Sequence, residues 1–111
     1  MAILDMNKEM FDEMMNNSGQ FQGKPVLVDF WAPWCVYCKR IGPALDKIAE
    51  QFADELIVAK VNVDEQPEIA EEEGIEVFPS MVIYRDGSAI ENAIAPQSKA
   101  AIEAFIREAL K

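Results

Sequence analysis

Two cysteines carry the chemistry that this sequence of 111 residues offers most directly. Cys35 and Cys38 are its only cysteines, they stand three positions apart, and the chain has no histidine. The lack of histidine excludes imidazole bases, Cys/His pairs and Ser/His/Asp triads, so catalysis would need thiols, carboxylates or a bound cofactor. A Cys-X-X-Cys pair beside a βαβ pattern is typical of a redox dithiol.

Two other interpretations of the pair are weaker. A zinc or iron–sulfur site needs about four ligands, which here would require carboxylates or a second chain. A purely structural disulfide would stabilise the fold little, because the loop it closes is very short. We therefore predict a redox-active disulfide, no metal site and no separate cofactor.

The spacing of the following residues assigns a role to each cysteine. Apolar side chains recur at steps of three and four from Cys38 through Ile41 and Leu45, which is the period of one helical face, so Cys38 should point inward. Cys35 falls at the start of that helix, where unpaired N–H groups and the helix dipole stabilise a thiolate. Cys35 is thus the predicted nucleophile, and Cys38 the thiol that resolves the mixed disulfide.

Asp29 is the candidate proton acceptor for the Cys38 thiol. It is a lone carboxylate within the apolar segment 26–31, which ends just before the dithiol and resembles a strand buried on both faces. Burial should raise its pKa toward neutrality, although an aspartate at a strand end could also reach solvent. Lys60, at a similar place in the next strand, could pair with Asp29 or extend to the sheet edge.

The elements that position these residues alternate along the chain. The predicted order is strand, helix, strand, helix, strand, helix, hairpin, helix, which indicates an α/β fold with a mixed sheet and helices on both faces. Strands are predicted at 2–4, 26–31, 56–63, 81–85 and 88–90, and helices after Asn7, from Cys35, from about Pro67 and after Ser98. Asp86-Gly87 is a strong hairpin signal. Pro43 should kink the second helix.

Size and charge limit the remaining possibilities. A chain of 111 residues favours a single domain spanning 1–111, and a net charge of −10 argues against binding to nucleic acid. No apolar run has membrane-spanning length, and the first residues lack a secretory pattern. We therefore expect a cytoplasmic protein without a membrane association. We also expect a monomer, since a covalent dimer would consume the only two cysteines.

The dithiol and the residues around it resemble the thioredoxin family over nearly the whole chain. The matching positions are Val28 through Cys35, Cys38, Lys39, Pro43, Lys60, Asp64, Gly74, Phe78, Pro79 and Gly87. The resemblance implies a five-stranded mixed sheet flanked by helices and a cis peptide before Pro79, packed against the dithiol. It further implies a reductase of disulfide-containing proteins that is recharged by a thioredoxin reductase.

The resemblance also implies roles for individual residues. Asp29 would be the buried proton acceptor. Trp31 would pack beneath the site, with Pro43 as a second structural residue. The substrate groove would be formed by Trp34, Val36, Tyr37, Phe78, Pro79, Ile94 and Ala95, with Ile94 and Ala95 in a turn.

Two departures from the family pattern stand beside the predicted groove. Val36-Tyr37 replaces the usual Gly-Pro, and Tyr37 restores a backbone N–H that proline lacks, so we expect a more stable Cys35 thiolate and a less reducing couple. We expect the Tyr37 side chain to be exposed. Ala95 replaces the usual Gly, and its methyl group should narrow the groove and the range of substrates.

Two alternative functions use the same fold. A disulfide oxidase or isomerase would move electrons in the opposite direction, and a reducing cytoplasm argues against it. A non-catalytic clamp subunit would use the groove for binding and would survive the loss of Cys35. Since one fold can serve several functions, the fold alone does not choose among them.

Overall fold

The computed structural model describes residues 3–111. Its strands are β1 (Leu4–Asp5), β2 (Val26–Trp31), β3 (Ile57–Asn62), β4 (Ser80–Arg85) and β5 (Ser88–Ile94). Its helices are α1 (Lys8–Met15), α2 (Val36–Gln51), α3 (Pro67–Glu72) and α4 (Lys99–Ala109), and a short 3₁₀ turn covers Gly19–Phe21. This order is the predicted one; Ala2, the first residue of the predicted first strand, lies outside the described residues.

The five strands form one mixed sheet in the order β1-β3-β2-β4-β5. β1, β3 and β2 run parallel, whereas β4 is antiparallel to β2 and β5 is antiparallel to β4. The predicted α/β class and the mixed five-stranded sheet are confirmed. Because β2 is central and runs parallel to β3, residues at the C-terminal ends of both strands meet at one edge of the sheet.

Helices cover both faces of the sheet, as predicted, and divide the core into two layers. The α1/α3 layer contains Phe11 of α1 and Ile69 of α3, together with Val28 of β2. The α2/α4 layer contains Leu45 of α2 and Ile102 of α4. Side chains alternate along β2, so both of its faces are buried, which explains its nearly continuous apolar sequence.

Local signals set most of the element boundaries. The Asn7 side chain accepts a hydrogen bond from the Met10 N–H at 2.9 Å and caps α1, and Ser98 caps α4 in the same way. Asp86 and Gly87 have φ angles of 53° and 78°, the positive values that a two-residue hairpin turn requires.

The largest difference from the predicted boundaries is at the end of β5. β5 continues to Ile94, so Ile94 ends an edge strand instead of lying in a turn. This extension pairs with β4 through backbone hydrogen bonds and leaves its side chains largely exposed, which gives it no apolar alternation. The assigned helix α2 runs without a break through Pro43. Within residues 3–111, no helix has both the length and the apolar character to cross a bilayer.

Candidate active site

The dithiol lies at the N-terminus of α2. Cys35 is the N-cap residue of this helix, one position before its first turn, and the structure joins it to Cys38 in a disulfide with Cα atoms 5.3 Å apart. The Cys38 N–H donates a hydrogen bond to Cys35 Sγ at 3.1 Å. A thiolate on Cys35 would therefore receive a backbone N–H and the positive end of a 16-residue helix.

Both cysteines are largely buried, and they differ mainly in their position relative to α2. Cys35 is 8% exposed and Cys38 is 4% exposed. Cys38 lies inside the first turn of α2, on the buried stripe that continues to Ile41 and Leu45. Among residues 3–111, no group of three or more His, Cys, Asp or Glu side chains has the geometry to hold a metal ion.

Asp29 is the buried carboxylate of β2. It is 1% exposed, and its Oδ1 has no hydrogen-bond partner among the described residues. Burial raises the pKa of Asp29 from 3.8 to about 7, and the positive charge of Lys60 opposes this rise. Alternation along β2 places Asp29 on the same face as Leu27, which belongs to the α2/α4 layer.

Of the two alternatives left open for Lys60, a direct ion pair with Asp29 does not form. The two residues are neighbours in the parallel register of β2 and β3. The Lys60 ammonium nevertheless lies over the Trp31 ring, 4.6 Å from its centroid, where the aromatic face attracts a cation. Its effect on Asp29 is thus a charge effect without a direct hydrogen bond. The half-buried Trp31 packs against the α1/α3 layer, and its Nε1 is buried without a partner among the described residues.

An aromatic pair forms one border of the predicted groove. Trp34 is 63% exposed and meets the half-buried Phe78 edge to face, with ring centroids 5.6 Å apart. Trp34 Nε1 donates a hydrogen bond to Asp64 at 3.2 Å, which orients the indole. The peptide bond between Phe78 and Pro79 is cis, as the family resemblance implied.

The last residue of β5 and the residues that follow it form a second border of the predicted groove. Ile94 is 58% exposed, and the N–H of Ala95 donates a hydrogen bond to the Pro79 carbonyl at 2.7 Å. Ala95 has a φ of 45°, in the left-handed region that glycine adopts freely and alanine does not. Glycine is therefore favoured at position 95 for two reasons: the left-handed backbone conformation there, and the close approach of a substrate.

Val36 and Tyr37, between the cysteines, differ in their surroundings. Val36 is 69% exposed. Tyr37 is half-buried rather than exposed, so the expectation for its side chain is wrong. Its hydroxyl donates a hydrogen bond to the Pro96 carbonyl at 2.7 Å. Pro43, further along α2, is exposed and lies away from the first turn.

The sequence-based account gives no contact at the site to three residues that lie in it or next to it. Asp64 orients Trp34, Pro96 accepts the Tyr37 hydroxyl, and Val77, 48% exposed, precedes Phe78. A signal for Asp64 was available, since it follows β3 by two residues at the edge where the dithiol lies. Pro96 was expected to stiffen the loop, but no local pattern predicts its contact with Tyr37, because that contact depends on tertiary structure.

Comparisons with known proteins agree with this geometry. Residues 2–108 match the family model described as Thioredoxin. The chain is 44% identical over 75 residues to thioredoxin 1 of Synechococcus elongatus, covering 68% of this chain and 70% of that protein. It is 42% identical over 88 residues to the thioredoxin of Alicyclobacillus acidocaldarius, with 79% and 84% covered. It is 39% identical over 105 residues to the thioredoxin of Acidithiobacillus ferridurans, with 95% and 94% covered.

The chain belongs to the thioredoxin family. It is a thiol–disulfide oxidoreductase of the protein-disulfide reductase type, and its redox-active group is the Cys-X-X-Cys disulfide, so the reaction needs no separate cofactor. The oxidase, isomerase and clamp alternatives are not favoured by these relatives.

Proposed function

We propose that the protein reduces disulfides in other proteins through Cys35, Cys38 and Asp29. The Cys35 thiolate attacks one sulfur of a substrate disulfide; a Cys35–substrate bond forms, the substrate S–S bond breaks, and the departing sulfur takes up a proton. The Cys38 thiol then loses its proton to Asp29 and attacks Cys35 Sγ. The Cys35–Cys38 disulfide forms, the Cys35–substrate bond breaks, and the second substrate sulfur leaves and takes up a proton from water. Two electrons have then passed to the substrate.

The observation that carries this proposal is the position of Cys35 as the N-cap of α2. Its sulfur accepts the Cys38 N–H, and the remaining N–H groups of the first turn lie at the same helix end. These groups stabilise the thiolate both as the attacking nucleophile and as the leaving group when the enzyme is recharged. Cys38 lies deeper and within the helix, which suits a thiol that attacks only its neighbour.

Asp29 has the properties that the proton transfer needs. A carboxyl with a pKa of about 7 is partly ionised at neutral pH, so it can accept a proton and later return it. It has no hydrogen bond at Oδ1 that would have to break first. Lys60 acts on Asp29 through its charge, as a positioning residue that favours the ionised carboxylate.

The groove binds the substrate beside the dithiol. Trp34 and Phe78 supply an apolar border, the backbone next to Pro79 pairs with an extended substrate segment, and Ile94 and Ala95 form the opposite border. Exposed apolar side chains that are held by neighbours, such as Trp34 with its hydrogen bond to Asp64, bind at little cost in conformational entropy. Val36 lies at the exposed rim, where it contacts the substrate next to its cysteine.

The physiological setting follows from the direction of electron flow. A protein that donates electrons to disulfides needs a reducing compartment and a donor, so we place residues 1–111 in the cytoplasm as one monomeric domain served by a thioredoxin reductase. Reduction of insulin with NADPH and a bacterial thioredoxin reductase tests this donor. The same assay driven by dithiothreitol separates the failure of the donor from the failure of the enzyme.

Trapping of the mixed disulfide tests the assignment of the cysteines. With Cys38→Ser, an oxidised protein substrate should remain attached to Cys35, and mass spectrometry should find one substrate per chain. With Cys35→Ser, no adduct should accumulate and turnover should be lost. An adduct on Cys38 in the Cys35→Ser protein, at a rate equal to that on Cys35, would contradict the proposed order of attack.

A further inference from the structure

A hydrogen bond connects the dithiol helix to the loop after β5. Tyr37 lies in the first turn of α2, and its hydroxyl donates to the carbonyl of Pro96, 59 positions later in the chain, at 2.7 Å. The tyrosine ring is half-buried and packs against the α1/α3 layer, while Pro96 is buried. The contact is therefore held at both ends, unlike a hydrogen bond between two exposed side chains.

The loop that accepts this hydrogen bond has an unfavourable backbone conformation. Ala95 has a φ of 45°, where its Cβ is crowded by the backbone. A loop that contains such a residue keeps its shape only when surrounding contacts determine it. Two contacts do so here: the Ala95 N–H donates to the Pro79 carbonyl at 2.7 Å, and the Pro96 carbonyl accepts the Tyr37 hydroxyl.

These two hydrogen bonds attach the loop to different parts of the site. The first ties the loop to the segment of Pro79, and the second ties it to the helix that carries Cys35. The loop thus spans from one border of the groove to the dithiol itself. If the second bond is lost, only the bond to Pro79 holds the loop; that bond then opens more often, and the distance between the loop and the dithiol is no longer fixed.

We propose that Tyr37 is a positioning residue that determines substrate specificity by fixing the end of β5 and the loop after it, residues 94–96, relative to the dithiol. The proposal rests on the groove described under the proposed function. The hydroxyl does not touch the reacting sulfurs; it holds the groove open at one width, so that an extended protein segment binds to a preformed surface. Small disulfides that do not reach Ile94 and Ala95 gain little from this arrangement.

The test removes only the hydroxyl, with Tyr37→Phe, and compares two substrates. Insulin presents its disulfide within a polypeptide, whereas bis(2-hydroxyethyl) disulfide is too small to span the groove. We expect KM for insulin to rise about fivefold, the effect of one neutral hydrogen bond, with kcat near that of the wild type. For the small disulfide, kcat/KM should change by less than twofold.

Tyr84→Phe is the matched control, since it makes the same chemical change at the only other tyrosine. It should leave both KM values unaltered. Amide hydrogen exchange gives a second readout: the Ala95 N–H should exchange faster in Tyr37→Phe, and that of Val28 in the central strand should not. This measurement also detects a loss of folding in the variant, because general unfolding would accelerate both amides.

Three outcomes would overturn the inference: equal effects on both substrates, an unchanged KM for insulin, or an unchanged exchange rate at Ala95. A wild-type protein that reduces neither substrate would instead contradict the proposed function.

Discussion

Two buried side chains, one from each layer of the core, have polar ends that differ in their hydrogen bonding. Tyr84 of β4 belongs to the α1/α3 layer, is 1% exposed, and donates its hydroxyl hydrogen to Glu73 at 2.6 Å. Asp29 of β2 lies on the opposite face of the sheet, is equally buried, and has no partner at Oδ1 among the described residues. A buried polar group without a partner costs free energy, whereas a paired one contributes to packing.

The two groups also differ in the pH at which they ionise, which fits a structural role for Tyr84 and the proposed proton-acceptor role for Asp29. Burial raises the pKa of Tyr84 far above its usual value, with a further rise from the hydrogen bond to Glu73, so the phenol never ionises near neutral pH. Burial raises the pKa of Asp29 only to about 7, where it gains and loses a proton readily. Asp29 lies on the face of the sheet that packs against the dithiol helix, and an unsatisfied carboxyl there supports the proposed proton transfer, whereas the satisfied phenol of Tyr84 has no such property.

The largest effect that we expect concerns stability as a function of pH. Unfolded Asp29 releases its proton near pH 3.8, while folded Asp29 keeps it until about pH 7. Between these values the native state binds more protons than the unfolded state, so the oxidised protein loses stability as the pH rises and the loss levels off above about pH 8. The pKa difference corresponds to roughly 4 kcal/mol of unfolding free energy.

Asp29→Asn should remove this pH dependence. Urea unfolding of the oxidised proteins measures the variant's advantage over the wild type, and this advantage should be about 4 kcal/mol larger at pH 9 than at pH 4. The comparison between pH values cancels any packing cost of the amide. An advantage that is the same at both pH values would mean that Asp29 ionises in the folded protein as it does in water.

A smaller effect is expected on turnover. At pH 7 and above, Asp29→Asn should slow insulin reduction by between about tenfold and a hundredfold, because water or the departing thiolate can still take the Cys38 proton. Wild-type kcat should fall as the pH drops below about 7, where Asp29 becomes protonated, and the variant should lack this inflection. Tyr84→Phe should keep both the rate and the inflection; if it slowed turnover equally, the distinction between the two buried groups would be lost.

The sequence predicts those parts of this arrangement that depend on local patterns. The apolar run of β2, the helical period from Cys38 to Leu45, and Asp86-Gly87 each determine an element from neighbouring residues alone. Asp29 was identifiable for the same reason, since a single carboxylate interrupts an apolar strand. The position of the dithiol at a helix N-terminus followed from the spacing of the two cysteines and from the helical period of the apolar residues after Cys38.

Features that depend on distant contacts could not be predicted. Tyr37 was expected in solvent, yet its partner Pro96 is brought to it only by the folding of β4 and β5. Lys60 lies beside Asp29 in the sheet register, but its ammonium group lies over the Trp31 ring. The sequence does not determine the side-chain torsions of Lys60, and these decide which of the two groups the ammonium contacts. The left-handed conformation of Ala95 likewise follows from its attachment to Pro79, which no local sequence preference for alanine would suggest.

The smallest effect that we expect is the change in unfolding free energy on replacing Tyr84, the buried polar group that has a hydrogen-bond partner. Tyr84→Phe removes the hydroxyl that donates to Glu73 and keeps the ring, which meets Phe11 edge to face with centroids 5.8 Å apart. Because Glu73 is half-buried and water can replace the lost donor, the variant should lose only about 1 kcal/mol of unfolding free energy. Urea unfolding at pH 7 measures this loss, with the insulin assay as its functional control. If Tyr84→Phe instead had a larger unfolding free energy than the wild type, as we expect for Asp29→Asn at high pH, burial of the Tyr84 hydroxyl would also destabilise the folded protein.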